Sequence, residues 1–262
     1  MSKILIVNNL SFSYDTKNNV LNNLSFEIEK GKICAILGKN GCGKSTLLDC
    51  ILGINEYREG IILIDDKNLK DYSNKELARK IAYISQNTII NIDYSVRDFL
   101  SFGRTPYLSI GGRLKEDDYK KIEYYANMCG ITYLLDKNIN KISGGERQLA
   151  HICRALIQET DLFIFDEPTA SLDFGNQYKL FHIMKNIVKQ GKTVIFTTHN
   201  PNQVLEIGAY CIIIDEGTIK AYGDSNTVIT EKLLSKIYNF NLRSGGSAES
   251  AAFCNFSLMS LT

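Results

Sequence analysis

No apolar run in this chain approaches roughly 18 residues, the shortest that reads as a membrane-crossing helix. The opening residues, Met1-Ser2-Lys3-Ile4-Leu5-Ile6-Val7, hold too short an apolar core for a secretory signal. None of the seven cysteines (34, 42, 50, 129, 153, 211 and 254) forms a C-x-x-C pair. That argues against zinc and against a disulfide framework, and for reduced thiols in a cytoplasm. Only three prolines occur, and Pro168 and Pro201 each adjoin a motif, so no proline-rich linker divides the chain. A net charge of +1 gives no reason to expect a polyanion, and so no nucleic acid, as the main partner. At 262 residues the chain can bury a sizeable core in one large domain, or in one domain with a subdomain.

What is present is concentrated in a few short segments. Gly38-Lys39-Asn40-Gly41-Cys42-Gly43-Lys44-Ser45-Thr46 reads G-x-x-x-x-G-K-S. An apolar run, Ile33-Cys34-Ala35-Ile36-Leu37, precedes it, and Leu47-Leu48-Asp49-Cys50-Ile51-Leu52 follows with helical character. Strand, glycine loop and helix are the context in which this pattern cradles phosphate. Backbone N–H groups of such a loop converge on an anion, and the helix N-terminus adds its dipole. Lys44 can reach the β- and γ-phosphates of a nucleotide, and Ser45 can ligate Mg²⁺. The electropositive setting also predicts a Cys42 thiol biased toward the reactive thiolate.

Residues 33–37, 81–85, 162–166 and 193–197 are nearly continuous apolar strands. Continuous rather than alternating apolarity predicts burial on both faces, as in a parallel sheet covered by helices. Residues 3–29 break into short strand-like pieces at 4–7, 10–14 and 24–28, which suits an N-terminal antiparallel subdomain. Ser73 and Glu76 have capping-box spacing before a short helix, and Ser95 with Asp98 can begin another. Helical spacing over 117–128, after the break at Gly111-Gly112, predicts a helical subdomain at about 87–158 inserted in the α/β core. Residues 210–238 return to strands and a final helix. From 243 onward a Ser-Gly-Gly-Ser stretch reads as a flexible tail, although Phe253, Phe256, Leu258, Met259 and Leu261 make it apolar.

Four more segments carry chemistry. Ile142-Ser143-Gly144-Gly145-Glu146-Arg147-Gln148 opens a helical run. Leu162-Phe163-Ile164-Phe165-Asp166-Glu167 is an apolar strand ending in two carboxylates, followed by Ala170-Ser171-Leu172-Asp173. Thr193-Val194-Ile195-Phe196-Thr197-Thr198-His199 is a second such strand, ending in a histidine. With Gln86 at the end of Ile81-Ala82-Tyr83-Ile84-Ser85, they closely resemble the nucleotide-binding subunit of ABC transporters, over about residues 3 to 240. The Ser-Gly-Gly-Glu segment is the diagnostic part, because other P-loop families lack it.

From the residues themselves, Asp166 can hold Mg²⁺ through water, and Glu167 is the best-placed general base for water attacking the γ-phosphate of ATP. His199 alone of three histidines ends a buried strand, the sheet edge where ligands bind. The resemblance implies its contact to the γ-phosphate, and leaves His151 and His182 structural. Gln86 can reach Mg²⁺ or the attacking water. Tyr14, with Phe12, stands where the family places an aromatic for adenine stacking; an ordinary strand aromatic is the alternative. Ser143, Gly144 and Gly145 open a helix and so form a second anion site. The resemblance implies that they bind the γ-phosphate of ATP held by a second subunit, so that two chains sandwich two ATPs head to tail with Asp173 at the junction. Ile142 stands where the family usually has Leu, and Arg147 where Gln is commoner.

The resemblance further implies a peripheral ATPase at the cytoplasmic face of the membrane, docked on a polytopic permease and served indirectly by a solute-binding protein. Phe102-Gly103-Arg104-Thr105-Pro106-Tyr107-Leu108 and Thr198-His199-Asn200-Pro201-Asn202-Gln203 look like the importers for iron–siderophore, haem and cobalamin. Molybdate/tungstate importers share Asn40-Gly41-Cys42-Gly43 and the Pro-Asn-Gln stretch, and a non-transport ABC ATPase on a cytosolic scaffold is a third reading.

Overall fold

The structure is a computed structural model that describes residues 2–15, 18–85, 93–109, 111–170, 172–238, 242–245 and 255–258. The chain folds as two units, residues 1–71 with 195–262, and residues 72–194.

The first unit contains an antiparallel sheet in the order β2–β1–β4–β5, from β1 (Lys3–Phe12), β2 (Leu21–Glu29), β4 (Glu59–Ile64) and β5 (Lys67–Asn68). The two pieces expected at 4–7 and 10–14 are one strand, with a register shift against β2 between Val7 and Leu10. Asn9 absorbs the irregularity at φ 49, a left-handed conformation that asparagine tolerates better than most residues. Ser25 Oγ accepts from its backbone N–H at 2.8 Å and donates to its side-chain carbonyl at 3.1 Å. The second sheet of this unit runs β10–β9–β3–β8, from β3 (Ile33–Leu37), β8 (Thr193–Thr198), β9 (Tyr210–Asp215) and β10 (Thr218–Asp224). β3 pairs parallel with β9, and β10 closes the edge antiparallel. Cys34 to Leu37 and Cys211 to Ile214 are fully buried, as their continuous apolarity predicts. The helices here are α1 (Lys44–Ile51), α7 (Pro201–Ile207), α8 (Ser225–Val228) and α9 (Glu231–Tyr238). Within the expected tail, β11 (Leu242–Gly245) pairs antiparallel with β12 (Asn255–Leu258). The alternation Asn255-Phe256-Ser257-Leu258 is a strand pattern that the neighbouring glycine–serine stretch hides.

In the second unit β6 (Ile81–Ile84) pairs parallel with β7 (Leu162–Phe165). Around that pair lie α2 (Asn74–Lys80), α3 (Val96–Ser101), α4 (Glu116–Met128), α5 (Gly144–Ile157) and α6 (Phe174–Lys189). The sequence locates the starts of α2 and α3 through their caps: Ser73 Oγ accepts from the Glu76 N–H at 3.3 Å, and Ser95 Oγ from the Asp98 N–H at 3.1 Å. The architecture is therefore α/β, a P-loop NTPase core with an N-terminal antiparallel subdomain and inserted helices.

The insertion is tied down by one buried charge. Arg104, in the 3₁₀ turn Phe102–Tyr107, donates to Asp118 Oδ1 at 2.8 Å, and to Ile157 O and Glu159 Oε2 at 3.1 Å each. Its guanidinium also lies 4.1 Å from the Tyr107 ring centre. Burial pushes the Asp118 carboxyl up, but the Lys115 N–H and Arg104 outweigh it and leave the group below its ordinary 3.8. The contribution of the pair is thus present above that value and lost as pH falls through the lower folded value. Removing one partner of a buried pair costs about 3–5 kcal/mol. Arg104→Met is therefore expected to lower the urea midpoint clearly at pH 7, and the difference from the parent should shrink below about pH 4. Lys120→Ala, which breaks only the exposed pair to Glu116, should cost under about 0.5 kcal/mol. Equal midpoints for parent and Arg104→Met would refute the assignment.

Candidate functional site

The glycine loop leaves β3 at Gly38 and enters α1 at Lys44. Gly38 N–H donates to Thr198 O at 3.2 Å, which fixes the loop's start against the end of β8. A Cβ at Gly38 would stand 2.3 Å from Ile214 O and 2.6 Å from Cys42 Sγ, so no larger residue fits. Gly217 N–H donates to Cys42 O at 3.2 Å, so the β9–β10 turn braces the loop's middle. Gly43 caps α1 at φ 105, a conformation that favours glycine, and offers no side-chain cap. The first N–H groups of α1 are therefore not occupied by an N-cap side chain. The Lys44 side chain is buried, and its Nζ donates to Gly38 O at 2.8 Å and Lys39 O at 3.0 Å. Ser45, Asn40 and Gly41 are exposed beside it. A buried ammonium beside an uncapped helix start is a cradle that suits phosphate.

Two further sequence-predicted residues meet this loop. Tyr14 is 66% exposed, packs edge-on against Phe12 with ring centres 4.9 Å apart, and places its hydroxyl 3.3 Å from Thr46 Oγ1. His199 follows Thr198 directly, so the loop's first hydrogen bond brings it beside Gly38 in the chain path. Its imidazole-bearing turn is exposed. The turn is held by Tyr238 Oη, which donates to His199 O at 2.8 Å, and by Asn200, whose Oδ1 accepts from the Asn202 N–H at 3.0 Å. Pro201 at the start of α7 and Gln203, which accepts from Thr198 Oγ1 at 2.7 Å, give the Pro-Asn-Gln stretch its local purpose. Tyr238 ends residues 229–238, a segment that also resembles the iron–siderophore, haem and cobalamin importers, but nothing in its spacing points to its partner 39 residues away.

The remaining residues belong to the second unit. Asp166 is buried at the end of β7, and its N–H donates to Ile84 O of β6 at 2.9 Å. Glu167 is half-buried at φ 42, where a non-glycine side chain stores roughly 1–3 kcal/mol of strain, a common mark of functional positions. Ser143 caps α5 in a capping box: its Oγ accepts from the Glu146 N–H at 3.3 Å, and its own N–H and hydroxyl both donate to Glu146 Oε2 at 2.8 Å. Tyr133 Oη donates to the other oxygen of that carboxylate at 2.9 Å. The Ser143 N–H, then the Ser143 and Tyr133 hydroxyls, hold the Glu146 carboxyl below its ordinary range. Asp173 caps α6, and its two oxygens accept from the backbone and side-chain N–H groups of Asn176 at 2.8 and 3.1 Å. Tyr133 and Asn176 are site neighbours that sequence spacing does not single out. Gln86 lies outside the described residues. His151 packs against Phe99 at 4.8 Å and His182 against Tyr178 at 4.6 Å, both as packing residues.

Cys42 departs from its expectation. It is 7% exposed, and burial pushes the thiol above its ordinary 9.0; the Lys44 charge pulls the other way without offsetting it. Desolvation wins because the residue points into the packed loop, against Gly38, and not into the anion cradle. Alkylation of Cys42 by N-ethylmaleimide, followed by mass spectrometry, should therefore rise about tenfold per pH unit from about pH 7 to 9 without levelling. A plateau below about pH 8 would restore the thiolate reading.

The sequence profile of the family described as "ABC transporter" matches residues 21–170. The molybdate import ATP-binding protein MolC of Haemophilus influenzae is 34% identical over 240 residues, 91% of this chain and 89% of that protein. The ferric enterobactin transport ATP-binding protein FepC of Escherichia coli is 34% identical over 223 residues, 85% of this chain and 82% of that protein. Among solved structures, an inward-facing ABC transporter described as metal-chelate type superimposes with a TM-score of 0.86 at 31% identity, over 99% of this chain and 98% of that one. Motif order, loop geometry and these likenesses agree: the chain belongs to the ABC transporter family, as one of its ATP-binding ATPase subunits.

Proposed function

We propose that the chain is the ATP-hydrolysing subunit of an importer for a metal chelate such as an iron–siderophore, haem or cobalamin. The observation that carries the ATP site is the buried Lys44 ammonium set at the uncapped start of α1. In this reading Lys44 and the loop residues Gly38, Asn40, Gly41, Cys42, Gly43, Ser45 and Thr46 hold the phosphates, with the Gly38 N–H kept on Thr198 O as the loop's anchor, and the exposed Tyr14 ring takes the adenine. Glu167 accepts the proton of the attacking water, and His199 contacts the γ-phosphate. Oxygen donors suited to a hard cation are present in Ser45 and the Asp166 carboxylate, with Gln86 a third, so these residues fit Mg²⁺. When bound, that ion supplies charge neutralisation on the β- and γ-phosphates. Ser143, Gly144 and Gly145 serve the nucleotide of a second copy of this chain, with Asp173 at the junction.

The importer reading is supported by the ferric enterobactin relative and by the likeness to the metal-chelate type transporter over nearly the whole chain. No described helix is long and apolar enough to cross a membrane. In this reading, which follows the transporter relatives, the subunit works from the cytoplasmic face on a separate permease, with a solute-binding protein delivering cargo to that permease. The molybdate relative, at the same 34% identity, supports a second reading in which the cargo is an oxyanion.

Glu167→Gln removes the base and keeps its shape. Hydrolysis is expected to fall by at least about 10²-fold, with ATP still bound and the subunit trapped as a dimer. Lys44→Ala should weaken nucleotide binding itself, whereas Ser143→Arg should leave binding by the monomer intact and abolish ATP-driven dimerisation. Normal turnover in Glu167→Gln, or equal loss of ATP binding in the other two, would count against the site. Cargo is tested by co-purifying the permease and measuring ATP-driven uptake into proteoliposomes: iron–siderophore uptake with none of molybdate supports the chelate reading, and the reverse overturns it.

A further inference from the structure

Gly145 is the second residue of α5, and nothing in its backbone demands glycine, since its φ lies outside the left-handed region. A Cβ added there would meet one residue among those described. It would stand 2.8 Å from Asn176 Nδ2 and 3.8 Å from Asn176 Cγ. Swinging that amide aside costs it its partner. Its Nδ2 donates to Asp173 Oδ2 at 3.1 Å, while Asp173 Oδ1 accepts from the Asn176 backbone N–H at 2.8 Å. Asn176 is half-buried between the two segments.

We propose that Asn176 is a positioning residue, a strut seated on the bare α-carbon of Gly145 that locks the start of α5 to the Asp173 cap of α6. The small residue at 145 is then a seat for this amide. The turn carrying Ser143, Gly144 and Gly145 and the loop carrying Asp173 shift together, so an anion captured at the first is felt at the second. The inference rests on the reading that both segments serve the nucleotide of a second copy. A Cβ at 145 would push the amide off Asp173, uncoupling the two without touching either motif's polar groups. Alanine is also the better helix former, so any loss in Gly145→Ala cannot be assigned to helix propensity.

The test uses the full chain in a Glu167→Gln background. ATP-driven dimerisation is followed by light scattering for Gly145→Ala, Asn176→Ala and the double variant, beside ATP binding to the monomer. Hydrogen exchange of segments 143–147 and 173–177 is measured without nucleotide. Asn176→Ala should weaken dimerisation by up to about tenfold, the worth of one hydrogen bond to a charged group, lower the melting temperature by no more than about 2–4 °C, and leave monomer binding unchanged. Gly145→Ala should weaken it at least as much and speed exchange at 173–177. The double variant should be no worse than Asn176→Ala alone, because the clash has nothing left to strike. Losses that multiply in the double variant, or exchange at 173–177 that ignores Gly145→Ala, would overturn the strut. If Ser143→Arg still dimerises normally, the composite-site reading is what fails, and the exchange measurement alone decides the strut.

Discussion

A lysine ammonium removed from water must be met by oxygen, and the phosphate loop is organised by that requirement. Lys44 meets it with two carbonyls of the loop it helps to form, those of Gly38 and Lys39. The loop can present those carbonyls inward only because Gly43 turns at φ 105, and because Gly38 passes so close to Ile214 that a methyl group would collide with it. Gly38 in turn is pinned to Thr198 at the end of β8. The histidine turn therefore takes its position from the same hydrogen bond that starts the loop. Weakening that bond would disturb both the lysine's partners and the approach of His199.

Much of this was legible in the sequence. Residue spacing located the loop, and unbroken apolarity located β3, β7 and β8, because buried parallel strands need no polar face. Cap spacing, Ser–x–x–Glu for α2 and Ser–x–x–Asp for α3, located those helix starts, because the cap is a local interaction. The misses come from packing and backbone geometry that residue spacing does not carry. Arg104 stands out in the sequence only through the resemblance of residues 102–108, and its burial follows from α4 and the end of α5 closing around it. Cys42 reads as activated by its neighbour Lys44, while the packing that desolvates it comes partly from Gly38, four residues earlier. The fused β1 depends on the φ of Asn9, which asparagine permits but does not announce. Asn176 lies 31 positions from Gly145, and only the fold sets them side by side.

How the helices are capped separates two kinds of helix start in this molecule. Side chains of Ser73, Ser95, Ser143, Asp173, Asn200 and Asp224 accept from the first turns of α2, α3, α5, α6, α7 and α8. α1 alone of these is begun by a glycine, with no side chain competing for its N–H groups. Its N-cap supplies no side chain that a ligand would have to displace. α5 is different. Its capping serine is also the residue proposed to read phosphate, and that hydroxyl already donates to Glu146, itself fixed by Tyr133. On the proposed reading, phosphate at α5 competes with Glu146 for the capping hydroxyl, while phosphate at α1 meets no capping side chain and draws Lys44 from the carbonyls of Gly38 and Lys39. Both sites thus exchange internal hydrogen bonds for phosphate, and engagement of α5 follows when the second copy brings enough additional contact to displace the Glu146 bond.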